Sequence, residues 1–318
     1  MPRLLLTGAN GFVGKILTSR LQGAGYEVLA LGGNVSPAQS IADKYVTCDI
    51  RDASALAQAV ADAKPTHIIH LAAISHVPTS FKEPLLTWQT NVIGSMNLLE
   101  AIRQHAPDAF TLFPSSSEVY GAAFKSGIAV EEDTLPQPLN PYAASKVAAE
   151  YAFREYFRQG LDGVIARPFN HIGAQQSPDF VTASFARQIA LIEAGQQAPV
   201  LKVGNLEAIR DFLDVQDVCD AYIQLLNLAG KPGHPLCLNI ASGQSRKIRD
   251  VLELLLKQSR MPITVEQDPE RLRPSDIPIA AGNNTLLKQT TGWQPAIPLE
   301  TTLSQLLDYW REQVKTHP

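Results

Sequence analysis

A doubly wound α/β fold built on a parallel sheet is what this sequence predicts, and three observations carry the reading. Short β-like apolar runs alternate with longer segments of helical period through the first half of the chain. No hairpin signal joins one β-like run to the next, so the strands are expected to run parallel with helices crossing between them. A Gly-rich loop stands between the first strand and the first helix. With 318 residues and 45% apolar content, the chain is long enough for one large domain and a smaller lobe.

Taken in order, residues 4–7 read as the first strand, and 12–21 as a helix with Phe12, Val13, Ile16, Leu17 and Leu21 at helical spacing. Strands are expected at 27–31, 45–47, 67–71, 109–113 and 164–166. An Ala-rich helix is expected at 53–63, a long helix at 85–105, and another at 142–158, opened by Pro141. Beyond Arg167 the pattern changes, and Pro- and Gly-rich loops separate isolated helices at 182–194, 215–228, 248–258 and 299–314. The runs 213–215 and 237–240 are expected to return to the main domain. The division that follows is a main domain of residues 1–168 and 209–241, with a second, mainly C-terminal lobe of 169–208 and 242–318.

A formal charge of −4 leaves no broad basic footprint, so no nucleic-acid partner is expected. Cys48, Cys219 and Cys237 are scattered and odd in number, which fits a reducing compartment better than a disulfide scaffold. No apolar run approaches the ~20 residues of a membrane helix. The opening apolar run, Leu4 to Leu6, is too short for a secretory signal. The expectation is a soluble cytoplasmic protein with no membrane partner.

Chemistry enters at Thr7-Gly8-Ala9-Asn10-Gly11-Phe12-Val13-Gly14. Glycines at this spacing let the backbone turn tightly and approach a pyrophosphate, while the helix start offers free N–H groups and a positive dipole end. Strand, loop and helix in that order make the expected sheet a Rossmann-type dinucleotide site, with Gly8, Asn10, Gly11, Phe12, Val13 and Gly14 against the coenzyme. The second strand should end in the residue that reads the adenosine ribose: an acid for NAD, a nearby Arg for NADP. Here it ends Leu31-Gly32-Gly33-Asn34, with neither. Lys44 and Arg51 are substitute cations, and the reading leans to NADP(H) with NAD(H) left open. Asp49-Ile50 either flanks the adenine, or Asp49 caps the helix at 53–63.

Tyr142-Ala143-Ala144-Ser145-Lys146 puts a phenol and an ammonium at i and i+4 on one helix face. A nearby Lys cation is expected to lower the phenol's pKa, so that the pair can exchange a proton with a carbonyl or alcohol oxygen. Ser115-Ser116-Ser117 follows the fifth strand at the carboxyl edge of the sheet, where a hydroxyl can hold that oxygen beside the Tyr. Ser116 is not read as an acyl-transfer nucleophile, because no G-x-S-x-G elbow surrounds it. His67 and His70 point to opposite faces of a strand and read as structural, and with no Cys/His/carboxylate cluster no metal is expected.

These motifs, with His70-Leu71-Ala72-Ala73, Asn91-Val92-Ile93-Gly94 and Ser116-Ser117-Glu118-Val119-Tyr120-Gly121, resemble the extended short-chain dehydrogenase/reductase family from end to end. The resemblance implies that Ser116, Tyr142 and Lys146 are catalytic. It further implies that Ala72 and Ala73 line the nicotinamide ribose, that Asn91 supports the site, and that Leu71, Asn91 and Arg167 belong to the coenzyme set. In the second half, Arg167-Pro168-Phe169-Asn170-His171-Ile172-Gly173, Arg210-Asp211-Phe212 and Arg271-Leu272-Arg273-Pro274-Ser275 resemble the GDP-4-keto-6-deoxy-mannose reductases. That likeness implies reduction of a GDP-linked deoxyhexulose to GDP-D-rhamnose, with Ser117, Asn170, Val181, Lys202, Arg210 and Arg273 holding the nucleotide-sugar. Arg forks suit a diphosphate. Glu118 stands where the related GDP-mannose 4,6-dehydratases carry the base for water elimination, so a dehydratase is the alternative reading, and a non-enzymatic dinucleotide sensor a third. The resemblance also implies a homodimer built from the helices at 85–105 and 142–158.

Overall fold

The computed structural model describes residues 1–33, 41–271 and 277–316. The first half runs β1 (Arg3–Thr7), α1 (Phe12–Gly23), β2 (Glu27–Gly32), β3 (Lys44–Thr47), α2 (Ala53–Ala63), β4 (His67–His70), α3 (Val77–Lys82), α4 (Pro84–Trp88), a π-helical turn (Gln89–Ile93), α5 (Gly94–His105), β5 (Phe110–Pro114), a 3-10 segment (Ser117–Ser126), α6 (Pro141–Arg158) and β6 (Gly163–Pro168). The second half runs β7 (Asn170–Ile172), α7 (Val181–Glu193), β8 (Val200–Val203), β9 (Ile209–Asp214), α8 (Val215–Leu226), β10 (Cys237–Ile240), β11 (Ser245–Lys247), α9 (Ile248–Leu256), β12 (Thr264–Gln267), β13 (Ile279–Ala280), α10 (Thr285–Thr291) and α11 (Leu299–Thr316).

Seven parallel strands in the order β3-β2-β1-β4-β5-β6-β10 form the central sheet. The order reverses between β1 and β4, which opens a crevice at the carboxyl ends of those strands. Both faces are covered, and β1 shows how. Leu4 and Leu6 pack with Leu17, Leu21 and Tyr222 on one side, while Leu5 packs with Leu56, Ile68 and Leu98 on the other. A strand buried on both faces reads as a continuous apolar run, which is why Leu4-Leu5-Leu6 does not alternate.

The expected helix over 85–105 is divided into α4, the π turn and α5. Pro84 opens α4 separately from α3, because its ring suits a first turn and supplies no N–H. At the start of α5 a Cβ on Gly94 would stand 2.6 Å from Ile50 Cδ1, so any larger residue there would have to push the Ile50 side chain aside. The run 213–215 lies at the end of β9 and the start of α8. β9 pairs with β11 antiparallel and with β7 and β13 in parallel, in a second sheet. Its side chains serve both cores: Leu213 packs in the cluster under α8, and Phe212 in the cluster of α7, α9 and α11. A short apolar run does not reveal which sheet its backbone joins. The run at 237–240 does return, as β10 on the sheet edge beside β6.

Helix α6 is seated on the sheet by aromatics. Phe153 of α6 stacks on Phe113 of β5 with centroids 4.1 Å apart, and both are buried. Phe153→Ala is expected to cost about 3–5 kcal/mol of unfolding free energy, read from urea denaturation. A change below about 1 kcal/mol would refute this seating.

Candidate active site

The phosphate loop is closed around its glycines. Gly8 has φ of +71°, and a Cβ there would meet Ala72 N at 2.6 Å. A Cβ on Gly14 would come within 2.7 Å of Ala9 Cα. Gly11 N–H donates to Gly8 O at 3.0 Å, and α1 begins at Phe12 with Gly11 as its cap, so the helix start faces the loop. This cradle fits a dinucleotide pyrophosphate, with the backbone of Gly8 through Gly14 as the holding surface. Asn10 donates to the Tyr45 hydroxyl at 2.5 Å, and Phe12 stacks on His171 with centroids 6.1 Å apart. Val13 packs partly buried on the core beneath.

Behind the loop lies a chain of buried polar groups. Ala72 N–H donates to Thr7 Oγ1 at 3.1 Å, and Leu71 N–H to Thr7 O at 3.2 Å. Ala73 follows directly in the chain and is half-buried. Thr7 Oγ1 is 2.7 Å from His70 Nδ1, and His70 Nε2 is 3.0 Å from Ser95 Oγ. Ser95 gives its own proton to Asn91 O at 2.6 Å, so Nε2 carries the ring hydrogen and Nδ1 accepts from Thr7. Burial pushes His70 down to about 3, and the Lys146 charge acts in the same direction, so the ring is neutral. Asn91, in the π turn, accepts from Ile74 N–H at 2.8 Å and donates to Ser145 Oγ at 2.9 Å. Ser145 donates to Tyr142 O at 2.7 Å. Asn91 therefore acts on protein groups, as a support joining the coenzyme crevice to α6.

At the ribose end, Asn34 lies outside the described residues. The space a side chain on Gly32 would need is taken by Asn10 and Tyr45. Asp49 does not cap α2. Asp52 does, accepting from Ser54 N and Ala55 N at 3.1 and 3.0 Å. Asp49 is instead held by Arg51, whose Nη2 lies 2.6 Å from Oδ2, and Ile50 is buried beneath it. Arg51 and Lys44 both have carboxylate partners, Lys44 at 3.6 Å from Glu27.

The proton-transfer residues converge at the end of β5. Ser116 caps the 3-10 segment, its Oγ accepting from Glu118 N–H at 3.2 Å. α6 starts where Asn140 accepts from Ala143 N–H at 2.8 Å, and Ser80 accepts from Tyr142 N–H at 3.2 Å. Asn140 also donates to Glu118 Oε2 at 3.0 Å, which places Glu118 beside Tyr142. The Tyr142 side chain is buried, with Ser116 and Glu118 among the groups that act on its phenol. Burial pushes its phenol up to about 12; Ser116 opposes that shift and the Glu118 charge adds to it. Lys146 donates to Pro114 O at 2.8 Å and stands 4.8 Å from the Phe113 ring centroid. Burial pushes its ammonium down to about 8, against the pull of Glu150.

These values correct one expectation. In this arrangement the phenol is raised, because desolvation outweighs everything else acting on it, and the Lys146 cation is tied to the Pro114 carbonyl. The site holds a protonated phenol, a proton donor, beside a hydroxyl that can hold a carbonyl oxygen. Arg167 is corrected as well. It is buried, its Nε and Nη2 bind Glu150 at 2.9 and 2.7 Å, and Nη1 donates to Glu132 O at 3.1 Å, so its fork is used within the core rather than on a coenzyme.

Of the residues expected on the nucleotide-sugar, Asn170 (β7) and Arg210 (β9) share the second sheet, Asn170 donating to Asp211 O at 3.2 Å and Arg210 to Ile209 O at 2.8 Å. Val181 is the first residue of α7, and Ser117 is buried next to Ser116. Lys202 lies on β8, paired with Glu266 of β12 at 2.6 Å in a separate two-stranded sheet. Arg273 lies outside the described residues. The sequence reading missed Ser80, Asn140 and Ser145. Asn140 before Pro141 is a legible cap signal, whereas Ser80 sits in a six-residue helix with no period to mark it.

A dinucleotide cradle at the switch point of a doubly wound sheet, with a phenol proton donor against it, defines an extended short-chain dehydrogenase/reductase, an enzyme class that works with a nicotinamide coenzyme. Within that class, the model of the GDP-mannose 4,6 dehydratase family matches residues 5–306, and the chain belongs to that family. It is 38% identical over 98% of both chains to GDP-6-deoxy-D-mannose reductase of Pseudomonas aeruginosa. It is 30% identical to GDP-mannose 4,6 dehydratase 2 of Arabidopsis thaliana, over 96% of this chain and 85% of that one. Among solved structures, RMD from Pseudomonas aeruginosa complexed with NADPH superposes with a TM-score of 0.85 at 34% identity, covering 98% of this chain and 100% of that one. UDP-glucose 4-epimerase of Thermus thermophilus in complex with NAD does so at 0.85 and 28% identity, covering 97% and 99%.

Because a methyl group at position 14 would meet backbone, Gly14→Ala is expected to weaken coenzyme binding at least tenfold, read by NADPH fluorescence titration, with the far-UV spectrum unchanged. Unaltered affinity would mean that the loop is not the pyrophosphate cradle.

Proposed function

We propose that the protein reduces the 4-keto group of GDP-4-keto-6-deoxy-D-mannose, giving GDP-D-rhamnose. The observation that carries this reading is the buried Tyr142 side chain at the start of α6, with Ser116 after β5 acting on its phenol, at the carboxyl edge of the sheet that holds the glycine loop. The nicotinamide coenzyme supplies hydride when bound. Ser116 and Tyr142 hold the ketone oxygen, and the Tyr142 hydroxyl gives it a proton as the alcohol forms, with the Lys146 ammonium close behind. Residues 1–168 and 209–241 serve the coenzyme, and 169–208 with 242–318 serve the nucleotide-sugar, through Ser117, Asn170, Val181, Lys202, Arg210 and Arg273. NADP(H) is the favoured coenzyme: no carboxylate stands at the described end of β2, and the Pseudomonas aeruginosa RMD structure contains NADPH. Among the described residues no helix is long and apolar enough to cross a membrane, and the three cysteines are free, in keeping with a cytoplasmic setting.

Glu118 beside Tyr142 supports dehydration of GDP-mannose as a second reading. One experiment separates the two. With NADPH and GDP-4-keto-6-deoxy-mannose the protein is expected to oxidise coenzyme, and Tyr142→Phe is expected to lower the rate by about 10²–10⁴-fold. No oxidation with any GDP-hexulose rejects the reductase. Turnover of GDP-mannose without added reductant, lost in Glu118→Gln, supports the dehydratase.

We also propose a homodimer. Leu85, Trp88, Ile93 and Met96 on the α4-to-α5 stretch and Tyr151 on α6 are exposed, Leu85 at 79% and Tyr151 at 61%, an apolar row suited to a second copy of these helices. Light scattering is expected to give twice the 34.6 kDa chain mass, and Leu85→Asp with Tyr151→Asp to give the monomer. A monomeric mass for the unaltered chain contradicts the proposal.

A further inference from the structure

Lys146 is a cation in a setting that disfavours cations. It is 5% exposed, and the groups nearest its ammonium are the Pro114 carbonyl and the Phe113 ring. One turn further along α6, at i+4, stands Glu150, 2% exposed, so Tyr142, Lys146 and Glu150 form one buried stripe down the helix. Arg167 of β6 binds both oxygens of Glu150, at 2.9 and 2.7 Å, a bidentate pairing of guanidinium and carboxylate. The guanidinium is fixed in turn, by Glu132 O at 3.1 Å and by the Tyr120 ring 4.7 Å away, whose hydroxyl donates to Asn239 Oδ1 at 2.7 Å.

We propose that Glu150, held by Arg167, is the positioning residue that keeps the buried Lys146 ammonium charged. The inference rests on the reading of Lys146 as part of the reaction site. The other groups around the stripe do not do this work. His70 of β4 is neutral, Tyr142 carries its proton, Tyr222 of α8 is a protonated phenol near Tyr142, and Glu118 lies beyond Tyr142, on its Ser116 side. Arg167 itself is a cation and opposes the charge on Lys146. Burial lowers the ammonium to about 8, and Glu150 is the group that acts against the fall.

The test is a titration of Lys146 in the full-length protein, by ¹³C NMR of its ε carbon, the signal assigned by its loss in Lys146→Arg. Glu150→Gln is expected to lower the midpoint by about one pH unit or more, because the carboxylate is lost and an unpaired buried cation remains. The basic limb of the NADPH-oxidation pH profile should move down with it. Glu150→Leu with Arg167→Met, which leaves no buried charge, is expected to lower the midpoint by less. It also decides the matter if the single variant does not fold. A midpoint unchanged in either folded variant overturns the proposal, since a merely structural ion pair would leave it in place. A midpoint that moves in a protein inactive on every GDP-hexulose keeps the proposal and sinks the reductase reading.

Discussion

A row of buried hydrogen bonds, each with its partner inside the protein, ties the crevice at the glycine loop to α6. It runs from Ala72 N–H and Thr7 through His70, Ser95, Asn91 and Ser145 to the Tyr142 carbonyl. A buried donor left without an acceptor costs about 1–3 kcal/mol, so the row holds as a unit or not at all. Its direction is set too. Ser95 has one proton and spends it on Asn91, which fixes the tautomer of His70, which fixes the sense of the Thr7 hydroxyl. The π turn at Gln89–Ile93 makes sense in these terms. A helix of regular pitch presents one residue per position, and the wider turn brings the Asn91 amide to both Ile74 and Ser145 at once.

The same interior decides which charges survive. Three ionisable side chains of α6 are buried in a stripe, and each is handled differently. Tyr142 stays neutral because burial penalises the phenolate, Lys146 is held just above neutrality, and Glu150 is clamped by Arg167. Tyr120 shows why Tyr142, and not any buried phenol, suits the donor role proposed for it. Its hydroxyl is committed to Asn239 inside the core and its ring to Arg167, whereas Tyr142 faces a serine hydroxyl that can turn toward an incoming oxygen.

Much of this was legible in the residues. The alternation of strand and helix, the glycine spacing and the Tyr142/Lys146 pair are local patterns, and local patterns survive folding. The sheet membership of β9 was not legible, because six residues with a Phe-Leu centre satisfy either core equally well. The charge state of the phenol was not legible either. Helical spacing states that Lys146 is near Tyr142 but does not reveal that its ammonium turns to the Pro114 carbonyl, a contact set by a strand 32 residues earlier. Arg167 failed for a related reason. A motif position says where a residue stands along the chain, and Glu150, 17 residues upstream, had already claimed its guanidinium.

The upward push on the Tyr142 phenol bears on the direction of the chemistry. Reduction needs a proton given to an oxygen that is gaining negative charge, and an alkoxide is a far stronger base than a phenolate, so a phenol kept protonated by burial is in the right starting form. Oxidation would need the phenolate first, against the desolvation penalty and with Glu118 adding its repulsion. What could offset that penalty is positive charge near the ring. The reduced nicotinamide is neutral and the oxidised one cationic, so the coenzyme's own redox state and the Lys146 ammonium together set how readily Tyr142 gives up its proton. The burial of one helix stripe therefore leaves Tyr142 in the protonated form from which a ketone oxygen can be protonated, and the charge that Lys146 retains within it eases the departure of that proton.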